Sequence, residues 1–239
     1  MVAVPLVRVA GLVRVFGAQR VLDGVDLDVS AGEAVALLGG NGAGKTTLLK
    51  IIATLLRPTR GTTTVAGLDC VRQAEAVRAM LGVVAHGNYV YEELTARENL
   101  AFWLRLAGHP AARDRLDAAL AEVELDRHAD ARVRTFSAGM RRRLSLARLT
   151  LARPRVLLLD EPFAGLDQRA RKWLEGRLEA YKADGGALIM ATHSFGRELG
   201  IADRLAVLAG GRVALDTPRA GLDQQDVQRL YLAHTEEAS

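Results

Sequence analysis

The sequence has one cysteine, Cys70, so no disulfide can form within the chain, and a reduced, cytoplasmic setting is the simplest reading. Long apolar runs are missing too. No stretch approaches the roughly 18–20 residues needed to span a bilayer, so any work at a membrane calls for a partner chain. The opening segment, MVAVPLVRVAGLVRVFG, is broken by Pro5, Arg8 and Arg14 and lacks both a basic start and a long apolar core, so it reads poorly as a signal peptide. Repeats, low-complexity tracts and long linkers are absent, and the 239 residues fit one large domain or a domain with a subdomain. Nor is charge of one sign concentrated. The net charge is +4, and Arg141, Arg142 and Arg143 form the one short run. A mildly basic surface is therefore expected, rather than a nucleic-acid face.

What is present alternates in an orderly way. LVRVAGLVRVFG and VLDGVDLDVS, the latter from Val21 to Val29, read as strands, and EAVALLGG as a short apolar strand. A helix is expected from about Gly44 to Pro58, then another strand and turn in RGTTTVAGLD. The middle of the chain reads as helical. Thr95 and Glu98 form a capping box ahead of Leu100, Trp103, Leu104 and Ala107 at helical spacing. ARDRLDAALAEVEL and SAGMRRRLSLARLTLA predict two more helices, the second opened by Ser137 as N-cap. The last third returns to α/β alternation: the apolar strand RVLLLD, the helix RARKWLEGRLEAYKADGG, the strand ALIMATH, a short helix in GRELGIADR and a hairpin across Gly210-Gly211.

GGNGAGKTT, comprising Gly39, Gly40, Asn41, Gly42, Ala43, Gly44, Lys45, Thr46 and Thr47, fits G-x-x-x-x-G-K-[ST] between a strand and a helix. The glycines let successive backbone N–H groups turn inward into an anion nest, and the helix N-terminus adds its dipole. Lys45 would charge-pair with β/γ phosphates, and the Thr46 hydroxyl could ligate Mg2+. The bland alternative is a glycine-rich turn that happens to precede a lysine. The strand RVLLLD delivers Asp160 and Glu161 to its C-terminal edge, where α/β sheets bind ligands. Asp160 would hold Mg2+, and Glu161 would act as general base toward water.

Three further strings narrow the class. FSAGM lies 23 residues before Asp160, counted from Ser137, and resembles the signature motif of ATP-binding-cassette (ABC) ATPases, usually LSGGQ. AGLD, ending at Asp167, resembles their D-loop, and His193, 33 residues after Asp160, resembles their switch histidine. Order and spacing cover nearly the whole chain. The resemblance implies an α/β P-loop NTPase over residues 1–239, with a mostly parallel core sheet, an N-terminal antiparallel β subdomain and a helical signature subdomain at about 88–152. It implies ATP and Mg2+ as cofactors and a homodimer or heterodimer of ATPase chains. Ser137, Ala138 and Gly139 of one copy would face the γ-phosphate held by the other, and His193 would contact that phosphate and help place the water. Phe16 matches the aromatic that stacks on adenine; ordinary core packing is its alternative.

Departures from the family pattern also bear on function. His86 stands where a Gln would touch Mg2+ and sense a membrane partner, so His86 is a candidate metal contact or a purely structural histidine. Met140 replaces the final Gln of the signature, and Gly40 replaces a usual Pro. A histidine at the Gln position together with SAG in the signature is similar to the ATP-binding subunits of haem exporters in cytochrome c maturation, although Gly87 departs from them; ATLLRPTRG and ELTARENLAFWLRLAG also resemble other ABC exporters, so a drug- or lipid-type exporter is the alternative. The expected partners are separate transmembrane permease subunits, docked against residues about 86–106 at the cytoplasmic face of the membrane. A soluble ABC ATPase acting on nucleic acid or ribosomes would carry a coiled-coil insertion, a second cassette or basic extensions, none of which is visible. A non-hydrolysing regulatory subunit is the third reading, opposed by Glu161 and His193.

Overall fold

The computed structural model describes residues 4–84, 90–151 and 154–235. Strands β1 (Val7–Phe16) and β2 (Gln19–Val29) form an antiparallel pair. Their alternation buries Val7, Val9 and Leu12 against Leu22, Val25, Leu27 and Val29. The register of this pair shifts between Val9 and Leu12. There Gly11 takes φ 56, a conformation open to glycine and strained for other residues. β3 (Ala34–Leu38) is buried along its whole length and leads through the glycine loop into α1 (Lys45–Ile52). β4 (Arg60–Val65) and β5 (Leu68–Asp69) then complete a four-stranded sheet in the order β2-β1-β4-β5.

The expected run of α1 to Pro58 is not realised. The helix stops at Ile52, Thr54 turns to φ 63, and the amides of Leu55 and Leu56 both fold back onto the oxygen of Lys50. Pro58 restricts only Arg57, the residue before it, so the earlier stop is set by the left-handed turn at Thr54. A short helix, α2 (Ala74–Arg78), precedes β6 (Leu81–Val84). Three helices follow: α3 (Ala96–Leu106), α4 (Arg113–Glu122) and α5 (Ala138–Leu151). Both halves of the Thr95–Glu98 capping box are present. α4 is shorter than its sequence predicts, because Glu124 takes φ 60.

β7 (Val156–Asp160), α6 (Gln168–Ala183), β8 (Ala187–Thr192), β9 (Arg204–Ala209), β10 (Arg212–Pro218) and α7 (Gln224–Thr235) close the described chain. Residues Arg197–Ile201 form a 3-10 turn in place of the expected short helix. The second sheet has the order β10-β9-β3-β8-β7-β6, parallel except for the β9–β10 hairpin. Every residue of β3, β7 and β8 is buried, since both faces of the sheet are covered. One face packs Val35, Leu37, Leu158 and Ile189 against Leu48, Ile51 and Ile52 of α1 and against the antiparallel sheet. The other packs Leu38, Leu157, Leu159 and Met190 against Leu174 and Leu178 of α6. The helices α3, α4 and α5 have a core of their own, with Leu100, Leu104, Leu116, Leu120 and Leu144 at its centre. Among the described residues, no helix is long and apolar enough to cross a membrane.

Candidate functional site

Strands β3, β8 and β7 are neighbours and run parallel, so their C-terminal ends lie together at one edge. That edge receives the glycine loop from β3, His193 from β8, and Asp160 and Glu161 from β7. In the loop, Gly42 and Gly44 have φ 81 and 104, and Gly44 is the N-cap of α1. The loop is also crowded. A Cβ on Gly39 would stand 2.6 Å from the oxygen of Leu208, and one on Gly44 would stand 2.7 Å from Leu22 Cδ2. Glycine at Gly44 therefore satisfies two demands, an unusual dihedral and the close approach of β2.

Lys45 is 8% exposed, and its Nζ donates to the backbone oxygens of Gly39 at 2.6 Å and Gly40 at 3.1 Å. Burial pulls its pKa down, and the carboxylates of Glu161 and Asp160 oppose that shift. The Thr46 hydroxyl donates to Asp160 Oδ2 at 2.8 Å. Glu161 has φ 50, a conformation that costs a residue with a side chain about 1–3 kcal/mol and persists where the surroundings impose it. Its Oε1 accepts from the His193 amide at 3.0 Å and lies 2.6 Å from His193 Nδ1, while Oε2 accepts from Thr192 Oγ1 at 3.2 Å. These groups border one cavity of about 660 Å³, lined by Gln19, Val21, Gly40–Thr47, Lys50, Asp160, Glu161 and His193. The walls offer backbone N–H groups, two lysines and a carboxylate pair. That is the chemistry for a polyphosphate, a hard cation and an attacking water.

Other residues singled out by sequence lie elsewhere. Ser137 caps α5, accepting from the Met140 amide at 3.2 Å, and Ser137 and Ala138 are exposed outside this cavity. Asp167 caps α6 through the Ala170 amide at 2.8 Å and pairs with Arg143. Phe16 is 43% exposed with the Arg14 guanidinium 4.3 Å from its ring centre, so core packing does not account for it. His86 falls outside the described residues. Within the segment expected to dock a partner, Tyr91, Phe102 and Trp103 form an edge-to-face and tilted cluster. Tyr91, Phe102 and Leu106 of this segment are exposed. Sequence reading missed Gln19, Val21 and Lys50 as lining residues. It also missed the contact of Arg142, whose Nη2 donates to the Glu161 backbone oxygen at 2.7 Å. A lysine one turn after a P-loop threonine was a usable signal for Lys50; an arginine inside a basic run gave none.

A strand–loop–helix phosphate nest beside a strand-end acid pair and a histidine defines a P-loop ATPase of the ABC type. The chain belongs to that family: the family model described as ABC transporter matches residues 22–164. Among its relatives, the daunorubicin resistance ATP-binding protein DrrA3 of Streptomyces coeruleorubidus is 40% identical over 209 residues. That match covers 87% of this chain and 66% of the relative, so the chain spans about two thirds of that protein's length. The cytochrome c biogenesis ATP-binding export protein CcmA of Bordetella bronchiseptica is 42% identical over 186 residues, covering 78% of this chain and 82% of the relative. A solved ATP-binding subunit of an ABC transporter superposes with a TM-score of 0.84 at 31% identity, covering 96% of this chain and 94% of that one. A dimeric post-hydrolysis ATP-binding cassette bound to ADP and Pi superposes with a TM-score of 0.81 at 25% identity, covering 90% and 100%.

Proposed function

We propose that this chain is the ATP-binding and ATP-hydrolysing subunit of an ABC exporter, working as a dimer of ATPase chains beneath separate membrane-spanning subunits. One observation carries the catalytic part: Lys45, the Thr46–Asp160 pair and the Glu161–His193 pair converge on one cavity at the ends of three adjacent strands. The loop amides of Gly40–Thr47 and Lys45 bind the phosphates, with Lys45 exchanging its bonds to Gly39 and Gly40 for phosphate oxygens. Thr46 and Asp160 offer hard oxygen donors 2.8 Å apart, a donor set suited to Mg2+, which keeps waters and shares substrate phosphates rather than filling a protein cage. When bound, Mg2+ would neutralise charge on the phosphates as the bond to the γ-phosphoryl group breaks. Glu161 takes a proton from the water that attacks the γ-phosphorus, ADP departs as leaving group, and His193 holds Glu161 and the γ-phosphate in register.

Ser137, Ala138 and Gly139 present a capped helix N-terminus outside this cavity, which suits contact with the γ-phosphate of a second copy. Phe16, exposed at the end of β1, is assigned to adenine stacking, and Asp167 to the surface between the two copies. Residues 1–239 act as one ATP-binding unit, its helical part at about 88–152. The aromatic cluster around Tyr91 and Phe102 serves as the dock for the membrane subunits. Export as the direction of transport is supported by the names of the relatives. Haem as cargo is supported by the cytochrome c biogenesis relative, and a drug-type cargo by the daunorubicin resistance relative.

The test is hydrolysis and capture. Glu161→Gln is expected to lower turnover of Mg-ATP by about 10²–10⁴-fold while ATP still binds. The same variant, tagged and loaded with ATP in detergent-solubilised native membranes, should capture multi-spanning proteins, and haem-handling chains among them would select the haem reading. Undiminished hydrolysis in Glu161→Gln would overturn the catalytic assignment.

A further inference from the structure

The run Arg141, Arg142, Arg143 has no part in the reaction above, yet Arg142 is only 7% exposed. It lies in the second turn of α5, and its guanidinium donates to the backbone oxygen of Glu161 at 2.7 Å. That same oxygen accepts from the Ala164 amide at 3.2 Å, closing the turn that follows β7. The turn begins at a residue with φ 50, which needs external support. A guanidinium can give that support, because it is planar and always charged, and charge-assisted hydrogen bonds are the strong ones. Burial pulls the Arg142 pKa down, while the carboxylates of Asp160 and Glu161 oppose the shift and keep the cation in place. The next residue, Arg143, pairs with Asp167 and with Glu124. Adjacent arginines of one helix therefore hold both ends of the Glu161–Asp167 segment.

Filling of space by a long side chain is the plain alternative, and it would leave the bond from the guanidinium to the Glu161 oxygen unexplained. We propose that Arg142 is a positioning residue for the Glu161 carboxylate, a role that rests on the assignment of Glu161 as general base.

Arg142→Gln in the full chain tests this with two readouts. The kcat for Mg-ATP should fall at least tenfold with KM within threefold, because no phosphate contact is lost. Hydrogen exchange over residues 161–167, measured without nucleotide and so independent of turnover, should quicken at least tenfold while β3 is unchanged. If Arg142→Gln does not fold, Arg142→Lys keeps the charge beside the acid pair and should still change both quantities at least threefold. Parent-like exchange over 161–167, parent-like kcat, or equal loosening of β3 would overturn the proposal. Failure of the underlying catalytic reading is distinguishable, since Glu161→Gln would then hydrolyse ATP at the parent rate.

Discussion

Asn99 permits a prediction worked from single bonds. The residue is 1% exposed, on the first turn of α3. Its Oδ1 accepts from the Tyr91 amide at 2.7 Å, and its Nδ2 donates to the oxygens of Tyr91 and Thr95, both at 2.9 Å. Asn99→Leu is nearly isosteric and removes all three, together with a longer bond of 3.5 Å to the Leu94 oxygen. The Thr95 oxygen keeps the helical bond from the Asn99 amide, so its loss is small. The Tyr91 oxygen likewise keeps the bond from the Leu94 amide, whereas the Tyr91 amide loses the Asn99 carbonyl as its partner. At about 1–3 kcal/mol for the stranded Tyr91 amide, plus a fraction for each bond lost to an oxygen that keeps another donor, the cost is about 2–4 kcal/mol. For a domain of this size, each kcal/mol moves Tm by about 2–4 °C, so a fall of about 4–16 °C is expected. Thermal unfolding followed by circular dichroism, with guanidinium titration to check that the slope is unchanged, measures it. ATP binding should persist, since Asn99 packs in the separate helical core. A Tm within 1–2 °C of the parent would refute the reasoning, as would loss of ATP binding by the folded variant.

Three further outcomes follow from the site and the core. Gly44→Ala must accept φ 104 and a contact of 2.7 Å with Leu22, whereas Gly42→Ala meets φ 81 with nothing within 4 Å. Gly44→Ala should therefore weaken ATP binding at least tenfold more than Gly42→Ala does, in titrations with a fluorescent nucleotide. Burial raises the Cys70 thiol from 9.0 to about 12, with Asp69 adding to the shift, so at pH 8 its thiolate is roughly a thousandfold rarer than in an exposed cysteine. Native protein should resist a thiol reagent that labels the unfolded chain at once. The raised value means that burial favours the neutral thiol. Its contribution to stability is therefore complete below about pH 9 and declines as pH rises toward 12.

The parts of the site that sequence made legible are those fixed by neighbours in the chain. The Gly39–Thr47 loop, the Asp160–Glu161 pair and His193 each sit at the end of a continuous apolar strand, and such strands can hardly fold otherwise than in a covered parallel sheet. The capping box at Thr95 is local for the same reason. Contacts between distant segments were illegible. Val21 and Gln19 reach the phosphate loop only because the β1–β2 hairpin folds over it. Arg142 looks like one more solvated charge until α5 is docked on β7. Helix α7 carries a weak sequence signal, because its stripe of Val227, Leu230 and Tyr231 is short and Val227 alone is buried. The end of α1 is misplaced by its pattern, because an apolar run continues past Ile52 while the backbone turns away at Thr54.

The strand order also bears on how the chain reaches its working form. β3 pairs in register with β8, Ala34 beside Leu188, about 150 residues further along. Loop closure over such a span is slow and is rewarded only once both strands are in place. During synthesis, the phosphate loop must therefore wait, its glycines formed but uncoupled, until the last third of the chain has emerged. ATP-binding competence is then a late event in folding, and the arrival of nucleotide would favour the completed sheet by mass action. A newly made molecule that can grip ATP is one that has finished assembling.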